Sequence, residues 1–226
     1  MIYIFGDSYV DDTHYIYEGN TIPWYNRFGP TKNFAKSGTG QHYAFKRFYE
    51  NLLSFNEKDI IIFCMSSWDR IDWKDDHDRI NQYRLNYDVE NKKIIYYGNK
   101  LKNHDNVHFF FENYADELQN LENKNVSYLY TLSKKHNLKV FILFVFPNDK
   151  RDEYSYLNNK FFNVFDIPLF KLSGHGDDFP DKRLNHFSEK NHDTMEKYFS
   201  DFLGQHIKQN YPWDFQKSMK TGFIYD

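Results

Sequence analysis

Three largely apolar runs stand out against a polar chain: Met1 to Phe5, Asp59 to Met65 (Asp-Ile-Ile-Ile-Phe-Cys-Met) and Lys139 to Phe146 (Lys-Val-Phe-Ile-Leu-Phe-Val-Phe). Runs this short, with no polar residue at alternate positions, predict strands buried on both faces, as in a parallel sheet. Each run is stopped by turn residues or a polar cluster. Gly6-Asp7-Ser8 closes the first, Ser66-Ser67-Trp68-Asp69-Arg70 the second and Pro147 the third. Shorter strands are expected over Thr31 to Phe34 and over Asn163 to Leu172, with Pro168 at an edge or bulge of the latter.

Between the runs, apolar residues return at helical spacing. Gln41 to Phe55 carries Tyr43-Ala44, Phe48, Leu52 and Phe55, and Asn106 to His136 carries Phe110, Tyr114, Leu118, Leu121, Tyr128 and Leu132 toward one face. A last helix is expected from Ser188 to about Gln209, with Glu189 in its first turn. Short helices are expected around Pro23 to Phe28, where Pro23 suits a first turn, and around Tyr154 to Phe162. Residues 72–102 break the alternation and read as a lid or hairpin, with Tyr83 to Tyr97 as its core, and 211–226 reads as a C-terminal strap. Strand alternating with helix predicts an α/β fold: a single domain over 1–226, a three-layer α/β/α sandwich around a mostly parallel sheet.

Composition narrows the function classes. A chain of 226 residues suffices for one domain with a substantial core, and a 20% aromatic content argues against disorder. The net charge of −3 leaves no basic footprint for nucleic acid. The one cysteine, Cys64, excludes an internal disulfide and, inside an apolar run, reads as a buried thiol. No apolar stretch approaches the ~18 residues that span a bilayer, so no membrane span is expected. The N-terminus has no basic segment or cleavage site of a signal peptide, so the expected location is cytoplasmic. Neither the histidines nor Cys64 carry an expectation of metal, and no cofactor is expected.

Candidate chemistry gathers where strands end. Ser8 stands just after the first strand, at the sheet edge where open α/β folds bind ligands, and backbone N–H groups at such a turn can hold an anion. Gly-Asp-Ser by itself also fits a capped turn, in which Asp7 merely holds the backbone. A serine nucleophile needs a base and oxyanion donors. His186, in a loop before the last helix, is the candidate base, whereas His192 reads as a surface or packing residue. Asp69 and Arg70 are a candidate ion pair in a pocket wall. Trp24 and the aromatics of Tyr83 to Tyr97 line a pocket or simply pack.

Taken together, these blocks resemble the SGNH hydrolases, also called GDSL esterases/lipases. Gly6-Asp7-Ser8 is similar to their first block, Asn33-Phe34-Ala35-Lys36-Ser37-Gly38 to their second, Ser66-Ser67-Trp68-Asp69 stands where their third (Gly-x-Asn-Asp) would fall, and His186 resembles the histidine of their fifth. The wording around Ser66 to Arg70 and Asn185 to His192 is similar to SGNH-like proteins of viral origin. The resemblance implies a flavodoxin-like, mostly parallel sheet and a serine esterase with Ser8 as nucleophile. It implies His186 as base and an oxyanion hole that uses the N–H groups of Ser8 and Gly38; Ser67 or Trp68 is the candidate further donor, and Asp181 or a backbone carbonyl the candidate group orienting His186. Its substrate would be a small-molecule or glycan ester, such as a carbohydrate O-acetyl group. A viral origin would put the protein in host cytoplasm or with the virion. Two departures matter. Trp68 replaces the family's oxyanion asparagine, and Arg183 occupies the position, three before the histidine, of its aspartate, leaving Asp181 five before. These departures motivate an alternative, a catalytically impaired binding or structural module on the same fold. A nucleotide-binding α/β protein is a weaker reading, because no Gly-x-Gly-x-x-Gly or P-loop follows any strand.

Overall fold

A computed structural model describes residues 1–12, 22–66, 68, 70–74, 80–88, 93–97, 104–145, 154, 156–165, 169, 187 and 189–204, with backbone alone over 70–97. Its main sheet has five strands: β1 (Ile2–Phe5), β2 (Thr31–Asn33), β3 (Ile60–Met65), β7 (Lys139–Phe144) and β8 (Phe162–Val164). They lie in the order β2-β1-β3-β7-β8, and every pair is parallel. Parallel neighbours need crossovers: α1 (Gln41–Asn51) lies between β2 and β3 and α2 (His104–His136) between β3 and β7, while α3 (Glu189–Gly204) follows the last strand. The chain therefore has an α/β fold.

The apolar strands are explained by burial on both faces. On one face Ile2, Ile4, Ile62, Cys64, Phe141 and Leu143 form a core with α3 and the 3-10 helix Trp24–Phe28. On the other, Tyr3, Phe5, Ile61, Phe63, Val140 and Ile142 form a core with α1 and α2. Phe141 is the hub of the first core, with ring contacts to Trp24, Phe165, Tyr198, Phe199 and Phe202. Strand β2, Thr-Lys-Asn, is polar because it is an edge strand with partly exposed side chains.

Several expectations are refined. The first helix ends at Asn51 and passes into a 3-10 turn, Leu52–Ser54, and its buried residues are Gln41, Ala44, Phe45 and Phe48. Helix α2 begins at His104, and among its described side chains the buried ones are Glu122, Asn125, Val126, Leu129, Leu132 and Ser133; of the expected stripe Leu132 is buried, whereas Tyr114 and Leu121 are exposed. It ends with Lys134, Lys135 and His136 in its last turn and Asn137 at φ 52°, a left-handed residue that closes a helix. Of the described part of Tyr154 to Phe162, Tyr154 is helical, but no helix continues through 156–162. Asparagine-held turns occupy that stretch instead, with Asn159 Oδ1 accepting from the Phe161 and Phe162 N–H groups at 2.8 and 3.2 Å. The strand beyond is only three residues long. Pro168, residues 173–186, 205–210 and the proposed strap at 211–226 lie outside the described residues.

The region expected as a lid or hairpin contains a separate antiparallel sheet of β4 (Arg70–Lys74), β5 (Ile80–Asp88) and β6 (Lys93–Tyr97). Arg70 pairs with Arg84 and Tyr87 with Ile94.

Candidate functional site

The exit of β1 is dictated by one glycine. Gly6 has φ 151°, and a Cβ there would lie 2.5 Å from Cys64 Cβ and 2.9 Å from both Cys64 O and Val10 Cγ2. No other residue fits so close to β3 in that conformation. The next three residues form a tight turn, with the Val10 N–H donating to Asp7 O at 3.2 Å. Asp7 is fully buried. Its Oδ1 accepts the Tyr9 N–H at 3.1 Å and lies 3.8 Å from the Cys64 thiol. Asp7 thus holds the turn, and Ser8 stands half-buried at its crest.

The loop after β2 is fastened to this turn. The Lys36 N–H donates to Gly6 O at 3.1 Å, Asn33 Nδ2 to Val10 O at 2.7 Å, and the Ser37 N–H to the buried carboxylate of Asp11. Asn33 Oδ1 also accepts the Ala35 N–H at 2.9 Å, so one side chain shapes its own loop and ties it to the other. Gly38 follows at φ 78°, a left-handed position that suits glycine. Thr39, fully buried, donates its hydroxyl to Lys36 O at 2.7 Å and closes the loop before α1.

Beyond β3 the chain runs through Ser66, buried, and Trp68, half-buried in a turn. The Ser66 carbonyl accepts a hydrogen bond from Gln41 Nε2, which also donates to Glu122 Oε2 at 2.6 Å. Ser67 and Asp69 lie outside the described residues. Arg70 opens β4, and its side chain is not among those described.

The structure thus brings the Ser8 turn, the Gly38 loop and the Ser66–Trp68 exit to the carboxyl ends of three adjacent strands. Counted along the main sheet alone, the strand order is 2-1-3-4-5, and its direction of growth reverses between β1 and β3. That reversal opens the crevice in which doubly wound sheets bind ligands.

His186 and Asp181 lie outside the described residues, as do Asp177, Asp178 and Arg183. Phe187 is described: it is buried, with its ring centroid 6.5 Å from that of Tyr9. His192 is a packing residue, wholly buried against Phe187, with Nδ1 accepting the Trp24 N–H at 3.4 Å. Trp24 is a core residue, packed edge-on against Phe141 and Phe199.

Sequence reading missed Asp11, Asn33 as a tie between loops, Gln41 and Glu122. Their partners are distant in sequence, and no local pattern marks them. The expectation of no metal also passes over His104 and His108, which lie one turn apart on α2, a spacing that suits two ligands. A pair alone is short of a site. Among the described residues no three His, Cys, Asp or Glu side chains cluster as metal ligands would, and the side chains of His104 and His108 are not among them.

The chain matches no protein-family model, and no curated protein or solved structure is significantly similar to it. Among the described residues no helix is long and apolar enough to cross a membrane.

Proposed function

We propose that the protein is an SGNH-type serine hydrolase that cleaves a carboxylic ester, with an SGNH-type α/β/α sandwich as its fold. One observation carries this reading. At the switch point of a parallel sheet, a glycine that nothing can replace presents a serine on a tight turn, and a second glycine loop is hydrogen-bonded to that turn. Oxyanion chemistry needs backbone donors held rigidly beside a nucleophile, and two loops tied by buried polar groups meet that need.

In the proposed reaction Ser8 Oγ attacks the ester carbonyl while His186 takes its proton, and Asp181 orients the imidazole. The N–H groups of Ser8 and Gly38, with Ser67 or Trp68, stabilise the oxyanion. His186 returns the proton to the departing alcohol, and water releases the acid in the second half-reaction. No cofactor enters. By analogy with the viral resemblance, the substrate class is an O-acetyl ester on a carbohydrate and the location is cytoplasmic or virion-associated.

A second reading rests on Trp68. An indole half-buried where the family holds a small amide donor favours a catalytically impaired binding or structural module. Loss of one oxyanion donor costs on the order of 3 kcal/mol, which slows a hydrolase without abolishing it. Hydrolysis of p-nitrophenyl acetate by the wild type beside Ser8→Ala decides. The hydrolase reading expects wild-type turnover that falls at least ~1000-fold in the variant. Equal rates in the two proteins favour the binding module.

A further inference from the structure

We propose that Gln41 is a positioning residue of the crevice: its amide, anchored by the buried carboxylate of Glu122, fixes the direction in which the chain leaves β3 toward Trp68. The catalytic consequence rests on the hydrolase reading; the positioning does not.

Gln41 is the first residue of α1 and is buried. A primary amide has two N–H donors. Here one goes to Ser66 O at 2.5 Å and the other to Glu122 Oε2 at 2.6 Å. Both partners are acceptors, so the nitrogen and not the oxygen must face them. Met65 O is still held by the sheet, through the Val145 N–H at 2.9 Å. Ser66 O is the next carbonyl along, beyond the last paired strand residue, and Gln41 takes over there from the ladder.

Glu122 explains why the amide stays in place. Its side chain lies on the buried face of α2, and its residue is only 2% exposed. Burying a carboxylate is costly, and an apolar pair would join α1 to α2 with less desolvation. What the side-chain oxygen adds is direction: a buried acceptor holds the amide in an oriented hydrogen bond, as an apolar contact would not. The amide then has one orientation, and the Ser66 carbonyl one place. Trp68 is two residues on, within about 7 Å of chain, so an error at Ser66 passes directly to the donors at 67 and 68.

The test is hydrogen exchange on the full-length protein, read peptide by peptide, together with kcat and KM on p-nitrophenyl acetate. Gln41→Leu is expected to raise exchange over 66–70 by about tenfold while β7 and α3 stay protected. It is expected to lower kcat at least ~10-fold with KM within about twofold. Glu122→Leu should behave like Gln41→Leu. Glu122→Gln, which keeps an acceptor oxygen, should restore both readouts to near wild type. If the leucine variant does not fold, Gln41→Asn, too short to span both acceptors, carries the same expectation. Unchanged exchange over 66–70, or a rise spread evenly along the chain, overturns the proposal. A wild type with no turnover contradicts the hydrolase reading and leaves the exchange result to decide on Gln41.

Discussion

Gly6 is the residue on which the crevice depends. A methyl group there would meet the Cβ and carbonyl of Cys64 at 2.5 and 2.9 Å, and the backbone at φ 151° disfavours any side chain. Gly6→Ala is therefore expected to destabilise the fold by about 2–5 kcal/mol, from strain and overpacking together, read as a lower urea midpoint. Lys139 makes the opposite kind of statement. Burial lowers its pKa from the ordinary 10.5, although its Nζ donates to Leu203 O. Just below pH 10.5 the unfolded chain then holds a proton that the folded chain has lost, so stability rises with pH through that window. Tyr49, raised by burial and by Tyr128, acts in the reverse sense above pH 10, where the folded chain keeps its proton longer. Urea midpoints between pH 8 and about 10 should rise in the wild type and flatten in Lys139→Met.

Among the elements, those buried on both faces were legible and those fixed by distant polar contacts were not. Strands β1, β3 and β7 are apolar at every buried position because helices cover both sides, and their ends fell within two residues of expectation. Helix α2 lies where the sequence places it, but of the described members of its expected face only Leu132 is buried. Aromatics occur all round it, and the face turned inward is fixed by Glu122 to Gln41, Asn125 to Tyr49 and Asn123 to Tyr154, contacts over 81, 76 and 31 residues. No local period encodes them. The segment Trp24–Phe28 is docked onto α3 in a similar way. Arg27 donates to Ile22 O at 2.8 Å and bridges Asp193 and Glu196, each at 2.6 Å. Burial alone would lower the pKa of Arg27, but the hydrogen bonds to the two carboxylates leave it raised. The pair is partly exposed, so Arg27→Ala is expected to cost about 1 kcal/mol, and less at 1 M salt than at 0.05 M, as measured by urea unfolding at both.

At the scale of the whole molecule, the sheet order brings three strand ends to one crevice, and the chemistry there divides by how it could be read. The places of Ser8 in the turn after β1 and of Gly38 in the loop after β2 were legible, because a turn next to a buried strand leaves few choices of residue. The ties that set their relative position were not, since Asp11 reaches Ser37 across 26 residues and Gln41 reaches Ser66 across 25. Together these contacts support a nucleophile held at the crest of a rigid turn, and that nucleophile is the central claim. It is tested most directly by a fluorophosphonate probe on the purified full-length protein, with the labelled peptide located by mass spectrometry. The account predicts a single adduct on Ser8, lost in Ser8→Ala and slowed at least ~100-fold in His186→Ala, whose base would be missing. Folded wild-type protein that takes no label at Ser8, or labels equally without His186, would contradict it.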